Sequence, residues 1–138
     1  MNGIPNFRVE KDIVQNEIDI IVKMGAEIKC GVEVGKDVTI DELRKQGYKA
    51  FYVAPGLQSP GSLGIPGEDA KGVIAGIDYV KDINLHGPNK LDGRVVVVGG
   101  GNIASDIART IVRQGAKSVD LYCLEEYEDM PMGGEDQE

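Results

Sequence analysis

The run Val95-Val96-Val97-Val98-Gly99-Gly100-Gly101-Asn102-Ile103-Ala104 constrains the fold more than any other stretch. Four consecutive valines favour a buried strand, because β-branched side chains suit a pleated sheet. The three glycines that follow end it in a tight turn. Apolar residues then recur at helical spacing, Ile103, Ile107 and Ile111 with Ala104 and Ala108, until Gly115 supplies a stop. This pattern predicts a strand over 94–98, a turn at 99–101, a helix over 102–114 seated on the sheet by that stripe, and a second strand over 118–124. Strand, helix, strand with short connections is a βαβ unit, which requires a parallel pair.

The small residues in this unit have mechanical reasons to be small. Gly99, Gly101 and Ala104 form a G-x-G-x-x-A pattern. Gly99 permits the turn out of the strand, Gly101 lets a pyrophosphate approach the backbone, and Ala104 lets the helix pack closely on the strand. The helix start then presents unpaired N–H groups and its positive dipole end. A pyrophosphate is therefore expected against the backbone of Gly100, Gly101, Asn102 and Ile103. An acidic residue, Glu125, stands 21 positions beyond Ala104. A dinucleotide site places a carboxylate for the ribose 2′-hydroxyl at about 20 residues on. The functional rival is a methyl donor or another nucleotide in the same kind of crevice. The plain alternative is a βα turn that uses glycines for packing alone.

The rest of the chain alternates helices and strands, which predicts an α/β, Rossmann-like protein with a mainly parallel sheet and flanking helices. Val14, Ile18, Ile21 and Val22 share one face of a helix over 11–24. Ile28, Cys30 and Val32 alternate in a strand candidate over 26–34. Thr39 and Glu42 form a capping box for a short helix over 40–46. Lys49–Ala54 reads as an apolar strand. Residues 55–69 hold three prolines and four glycines and break every periodicity, so they form a loop and the best domain boundary. A short strand near 73–75 and a helix over 77–84 follow. His86 lies in a Gly/Pro turn and is expected at the surface.

Charge excludes some functions. The net charge is -8, and residues 125–138 carry seven acids and no base. The body is nearly neutral, so nothing resembles a nucleic-acid surface or a basic membrane face. No apolar stretch approaches the ~18 residues of a membrane span, and no signal peptide is visible. Cys30 and Cys123 lie in predicted strands without a C-x-x-C, which reads as buried, reduced thiols in a cytoplasmic protein and gives no metal site. Asp106 and Arg109 are spaced to pair on one helix. The acidic end is expected to be solvated and frayed.

Motifs along nearly the whole chain resemble the small (beta) subunit of NADPH-dependent glutamate synthase and its relatives, including the corresponding part of dihydropyrimidine dehydrogenase. They are Gly3-Ile4-Pro5-Asn6-Phe7-Arg8, Val34-Gly35-Lys36-Asp37, Ala54-Pro55-Gly56, Gly64-Ile65-Pro66-Gly67-Glu68-Asp69, Gly99 to Asp106, and Glu128-Asp129-Met130-Pro131. The resemblance implies a flavoprotein with two dinucleotide-binding domains, in which electrons pass from NAD(P)H to FAD and onward through iron–sulfur centres. On that template, residues 1–55 are the closing part of an FAD-binding domain, 56–69 a Gly/Pro-rich crossover, and 70–138 the opening βαβ part of an NAD(P)H-binding domain. The chain is then an excised piece or a naturally shortened homologue.

Site residues implied this way are Gly99, Gly100, Gly101, Asn102, Ile103, Ala104 and Glu125 for NAD(P)H and Gly56 for FAD. Relatives that use NADPH commonly carry an Arg-Arg pair where this chain has Leu124 and Glu125, so NADH is expected over NADPH. Pro55 removes one N–H donor beside the flavin segment. Hydride transfer between the two cofactors needs no protein acid or base, so no catalytic side chain is expected and the isolated chain should be inactive. A large amidotransferase or synthase subunit is the implied partner. Unpaired sheet edges also predict a homodimer. The alternative is a non-enzymatic nucleotide-binding or interaction domain that kept the fold without turnover.

Overall fold

The computed structural model describes residues 2–137. The chain divides into two compact units, one of residues 12–58 and one made of the segment up to Lys11 together with residues 59 onward.

The 12–58 unit contains two helices, α1 (Lys11–Lys23, its first residue belonging to the other unit) and α2 (Ile40–Lys45). α2 starts as its sequence predicts. The Thr39 hydroxyl accepts from the Glu42 N–H at 3.2 Å, and the Glu42 carboxylate accepts from the Thr39 N–H at 2.8 Å. The Thr39 N–H bond first, and then the Thr39 hydroxyl, which donates to the same carboxylate at 2.8 Å, hold the Glu42 pKa below its ordinary value. The strands expected over 26–34 and 49–54 do not form. The only pairing near them is a bridge between Val34 and Val38. Extended residues become a strand only when a neighbour completes the hydrogen-bond ladder, and none does among the described residues. Cys30 is accordingly exposed, not buried. The apolar face of α1 contains no buried residue.

The second unit is built on the βαβ segment. β1 (Arg94–Val98) and β2 (Ser118–Tyr122) pair in parallel, in register from Arg94↔Ser118 to Val98↔Tyr122. They are linked by α4 (Asn102–Arg113) and preceded by α3 (Gly76–His86). The 73–75 strand is absent, because that stretch finds no partner either. β2 stops at Tyr122, so Cys123 lies just past the strand and is half-buried. This βαβ unit is Rossmann-like, with a two-stranded parallel sheet among the described residues.

The core is the face of α4 that meets the sheet and α3. Val97, Ala104, Ile107 and Ile111 are buried together with Val80 from α3, and Leu91, Val95, Val119 and Leu121 pack around them. Ile103 departs from the expected stripe and is exposed. It occupies the first turn of α4, and Ala104 takes the buried, sheet-facing position instead. Gly76 opens α3 close against α4. A Cβ there would stand 2.2 Å from Ile107 Cδ1. Tyr79 closes the far side, its hydroxyl donating to Gln114 Oε1 at 2.6 Å, and burial raises its pKa.

The Gly/Pro-rich segment is ordered around one carboxylate. Glu68 accepts from the Leu63 and Gly64 N–H groups and from the Ser62 hydroxyl, all at 2.8 Å. These bonds, the Leu63 one first, hold its pKa below the ordinary value.

Two predictions follow from these contacts. Ile111→Ala removes a side chain that is 4% exposed and should destabilise this unit by about 2–4 kcal/mol, read from denaturant unfolding. For Glu68 the folded pKa is depressed, so its stabilisation is fully present above the ordinary carboxylate range and is lost as pH falls through the lowered value. Amide exchange at Leu63 and Gly64, corrected for intrinsic rates, should accelerate on acidification and should lose its pH dependence in Glu68→Gln.

Candidate nucleotide-binding turn

The turn between β1 and α4 brings most of the expected residues together. Gly99 has φ +135°, a conformation that side-chain-bearing residues rarely adopt, and a Cβ placed on it would lie 3.7 Å from Ala104 Cβ. The small residue at 104 therefore does what the spacing implies: it lets strand end and helix start approach closely. The Gly99 N–H donates to the Tyr122 carbonyl at 2.8 Å, which extends the ladder one residue past β1.

Gly100 and Gly101 are small for different reasons. A Cβ on Gly100 would stand 3.0 Å from Cys123 Cβ, 3.1 Å from Glu125 Oε2 and 3.4 Å from Pro131 Cδ. Gly100 is thus enclosed by the protein itself. A Cβ on Gly101 would meet nothing within 4 Å. Gly101 caps α4 with φ -92° and ψ 175°, and no side chain supplies a cap hydrogen bond to the helix. Its smallness is required neither by backbone conformation nor by a protein neighbour. Open space over an uncapped helix start is what a pyrophosphate needs, so the turn fits the group that the sequence pattern implies.

Glu125 is carried to the turn by the end of β2, and its carboxylate lies beside Gly100. Leu124, its neighbour, is fully exposed. Cys123 Sγ contacts the Glu125 carbonyl at 3.3 Å, which helps fix this corner. Asn102 opens α4, and its side-chain oxygen accepts from the Gly133 N–H at 2.9 Å. Gly56 belongs to the 12–58 unit. It has φ +72° on an extended, exposed segment, and a Cβ there would meet nothing within 4 Å.

Several expectations need correction. Asp106 and Arg109 do not pair with each other. Asp106 accepts from Arg8 Nε at 2.6 Å, whereas Arg109 Nη1 donates to Asp136 at 2.7 Å. Each of the two helix residues pairs instead with a partner from another segment. Within the described residues the acidic end is not frayed; Glu138 lies outside them. That end forms a 3₁₀ turn (Tyr127–Asp129) and a last turn of helix, α5 (Gly134–Gln137), and buries Met132. The signal for this in the sequence was Pro131 with Met130 and Met132, which interrupts the run of acids. His86 is a surface residue, its Nδ1 2.7 Å from Asp82 Oδ1. A separate open groove of about 480 Å³, lined in part by Pro5, Phe7, Val80 and Arg113, lies away from the turn. There the Arg113 guanidinium covers the Phe7 ring at 4.2 Å. No group of side chains suited to a metal ion occurs among the described residues. No helix among them is long and apolar enough to cross a membrane.

The contrast between the two glycines yields a test. Gly100→Val should destabilise the fold, because Cys123 and Pro131 leave no room. Gly101→Val should leave the unfolding transition within about 1 kcal/mol of the parent and abolish nucleotide binding. Paired thermal melts and nucleotide titrations distinguish the two outcomes, and a Gly101→Val protein that binds NADH normally would remove the turn from the site.

Known proteins resemble this chain along nearly its whole length. The family model of pyridine nucleotide-disulphide oxidoreductases matches residues 5–134. The chain is 41% identical over 132 residues to the NADP(+)-dependent formate dehydrogenase subunit beta of Moorella thermoacetica, with 94% of this chain and 18% of that one covered. It is 38% identical to the NADPH-Fe(3+) oxidoreductase subunit beta of Geobacter sulfurreducens, covering 94% of this chain and 20% of the relative. Against the glutamate synthase [NADPH] small chain of Escherichia coli it is 37% identical over 140 residues, covering 94% of this chain and 29% of the relative. The chain thus spans less than a third of the length of these relatives. The βαβ turn, its glycine pattern and the match over nearly the whole sequence lead to one assignment: the chain belongs to the pyridine nucleotide-disulphide oxidoreductase family.

Proposed function

We propose that this chain is the nucleotide-binding portion of an NAD(P)H-dependent flavin oxidoreductase resembling the glutamate synthase small subunit. The observation that carries the reading is the open space at Gly101 over the uncapped start of α4. In this reading the backbone of Gly100–Ile103 receives the pyrophosphate, and Gly99 and Ala104 hold the turn that presents it. When bound, the nicotinamide supplies a hydride and FAD accepts it. The residues of this chain bind and orient, and none acts as acid or base. Residues 70–138 serve as the opening of the NAD(P)H-binding domain, 56–69 as the crossover, and 1–55 as the closing part of the FAD-binding domain. Gly56 is assigned to FAD on the family resemblance alone. Three relatives are named as a beta subunit or a small chain, which supports a larger partner subunit and a place in an electron-transfer assembly.

We further propose that the nucleotide is NADH. Relatives carry NADP(+) or NADPH in their names, yet this chain has Leu124 and Glu125 after its second strand. The Glu125 carboxylate stands beside the glycine turn, and in this reading it meets the adenosine ribose. It suits a diol, to which it accepts charge-assisted hydrogen bonds. A 2′-phosphate would bring like charge to Glu125, with Glu126 and Glu128 close in sequence. Repulsion on the order of 1 kcal/mol per contact at a partly solvated site favours NADH by about tenfold or more. Calorimetric titration of the chain with NADH and NADPH should show that preference. The double substitution Leu124→Arg, Glu125→Arg should erase or reverse it. Equal or tighter NADPH binding by the parent would show that Glu125 does not face the ribose.

A further inference from the structure

The acidic end crosses the nucleotide turn and is fastened to it. After the 3₁₀ turn, Pro131 packs beside Gly100, with its Cδ 3.4 Å from where a Cβ would stand. The Met132 N–H donates to the Gly100 carbonyl at 3.1 Å. The Gly133 N–H donates to Asn102 Oδ1 at 2.9 Å. Three consecutive residues of this strap therefore contact the turn, and Met132 between them is buried.

What holds the strap is an ionic clamp. Asp136, in α5, has a side chain only 7% exposed, and its Oδ1 accepts from both Arg8 and Arg109. Arg8 is fixed in turn by its Nε bond to Asp106. Arg109 Nη2 also donates to the Glu135 carbonyl at 3.0 Å. A carboxylate this shielded from water is costly unless ionised donors surround it, and two guanidinium groups supply them. Alternating charges thus join three parts of the unit: the N-terminal segment, α4 and the strap.

The clamp has a consequence at the turn. All described peptide bonds are trans. In a trans peptide the carbonyl and the following N–H point in opposite directions. Holding the Gly100 carbonyl toward Met132 therefore turns the Gly101 N–H away from the strap. A triglycine turn has little intrinsic preference for one setting of that peptide, so the setting depends on the strap.

We propose that Asp136 is a positioning residue for the dinucleotide pyrophosphate. Gripped by Arg8 and Arg109, it keeps the Met130–Gln137 strap on the turn and so fixes the Gly100–Gly101 peptide with its N–H presented to the diphosphate. The inference rests on the nucleotide reading above. It concerns the part that NADH and NADPH share, so it differs from the role of Glu125.

The test uses the full chain, with Asp136→Ala and Asp136→Glu titrated calorimetrically against NADH and NADPH. Amide hydrogen exchange is followed at Met132 and at the core residue Ile111. Asp136→Ala should weaken both nucleotides by the same factor, about tenfold. Exchange at Met132 should quicken while Ile111 stays protected, and Asp136→Glu should recover most of the affinity. If Asp136→Ala also exposes Ile111, the same criteria apply to Arg109→Lys, which keeps the charge and loses donors. A freed Met132 amide with unchanged nucleotide affinity would overturn the proposal, as would a loss confined to one nucleotide. If the parent binds neither nucleotide, the nucleotide reading fails and takes this proposal with it. Normal binding by both parent and variant overturns the positioning role alone.

Discussion

The seating of α4 on β1 is the interaction on which the second unit depends. Ala104, Ile107 and Ile111 are buried together with Val97 of β1 and Val80 of α3, so the helix ties the sheet and α3 into one core. Because the helix must start close to the end of β1 to make that contact, the chain between them has to reverse within three residues. Gly99 at φ +135° and the short side chain of Ala104 make the reversal feasible. The position of the helix start, and with it the ring of unpaired N–H groups, follows from packing.

A second constraint is electrostatic. The net charge of -8 is concentrated near the end of the chain, where it would ordinarily keep a segment solvated. Here Asp136 is drawn inward by Arg8 and Arg109, and the strap it carries closes one side of the glycine turn. Glu125, by contrast, remains exposed at the rim. Two carboxylates of one acidic stretch therefore have opposite environments. The shielded one is a structural anchor; the exposed one is free to meet a polar ligand.

The βαβ unit was legible because its signals are local. Valines at 95–98, glycines at 99–101 and isoleucines at 107 and 111 each point to the same arrangement. The Thr39–Glu42 capping box was legible for the same reason. What the sequence did not reveal depends on partners distant along the chain. Residues 26–34 and 49–54 have strand composition, yet a strand exists only where a second one completes its hydrogen bonds. Asp106 and Arg109 were paired by spacing, whereas the structure gives each a partner about 98 and 27 residues away. Gly76 carries no motif, and only the 2.2 Å approach to Ile107 explains it.

The central claim is that a pyridine dinucleotide lays its pyrophosphate on the backbone of Gly100–Ile103. Residue-resolved amide chemical shifts of the ¹⁵N-labelled chain, followed during titration with NADH, test it most directly. The account predicts saturable shifts centred on Gly100, Gly101, Asn102 and Ile103 and extending to Glu125, with the α1 and α2 amides unmoved. Saturable shifts centred elsewhere, for example on the groove beside Phe7 and Arg113, would contradict it, as would an unmoved glycine turn at saturating nucleotide.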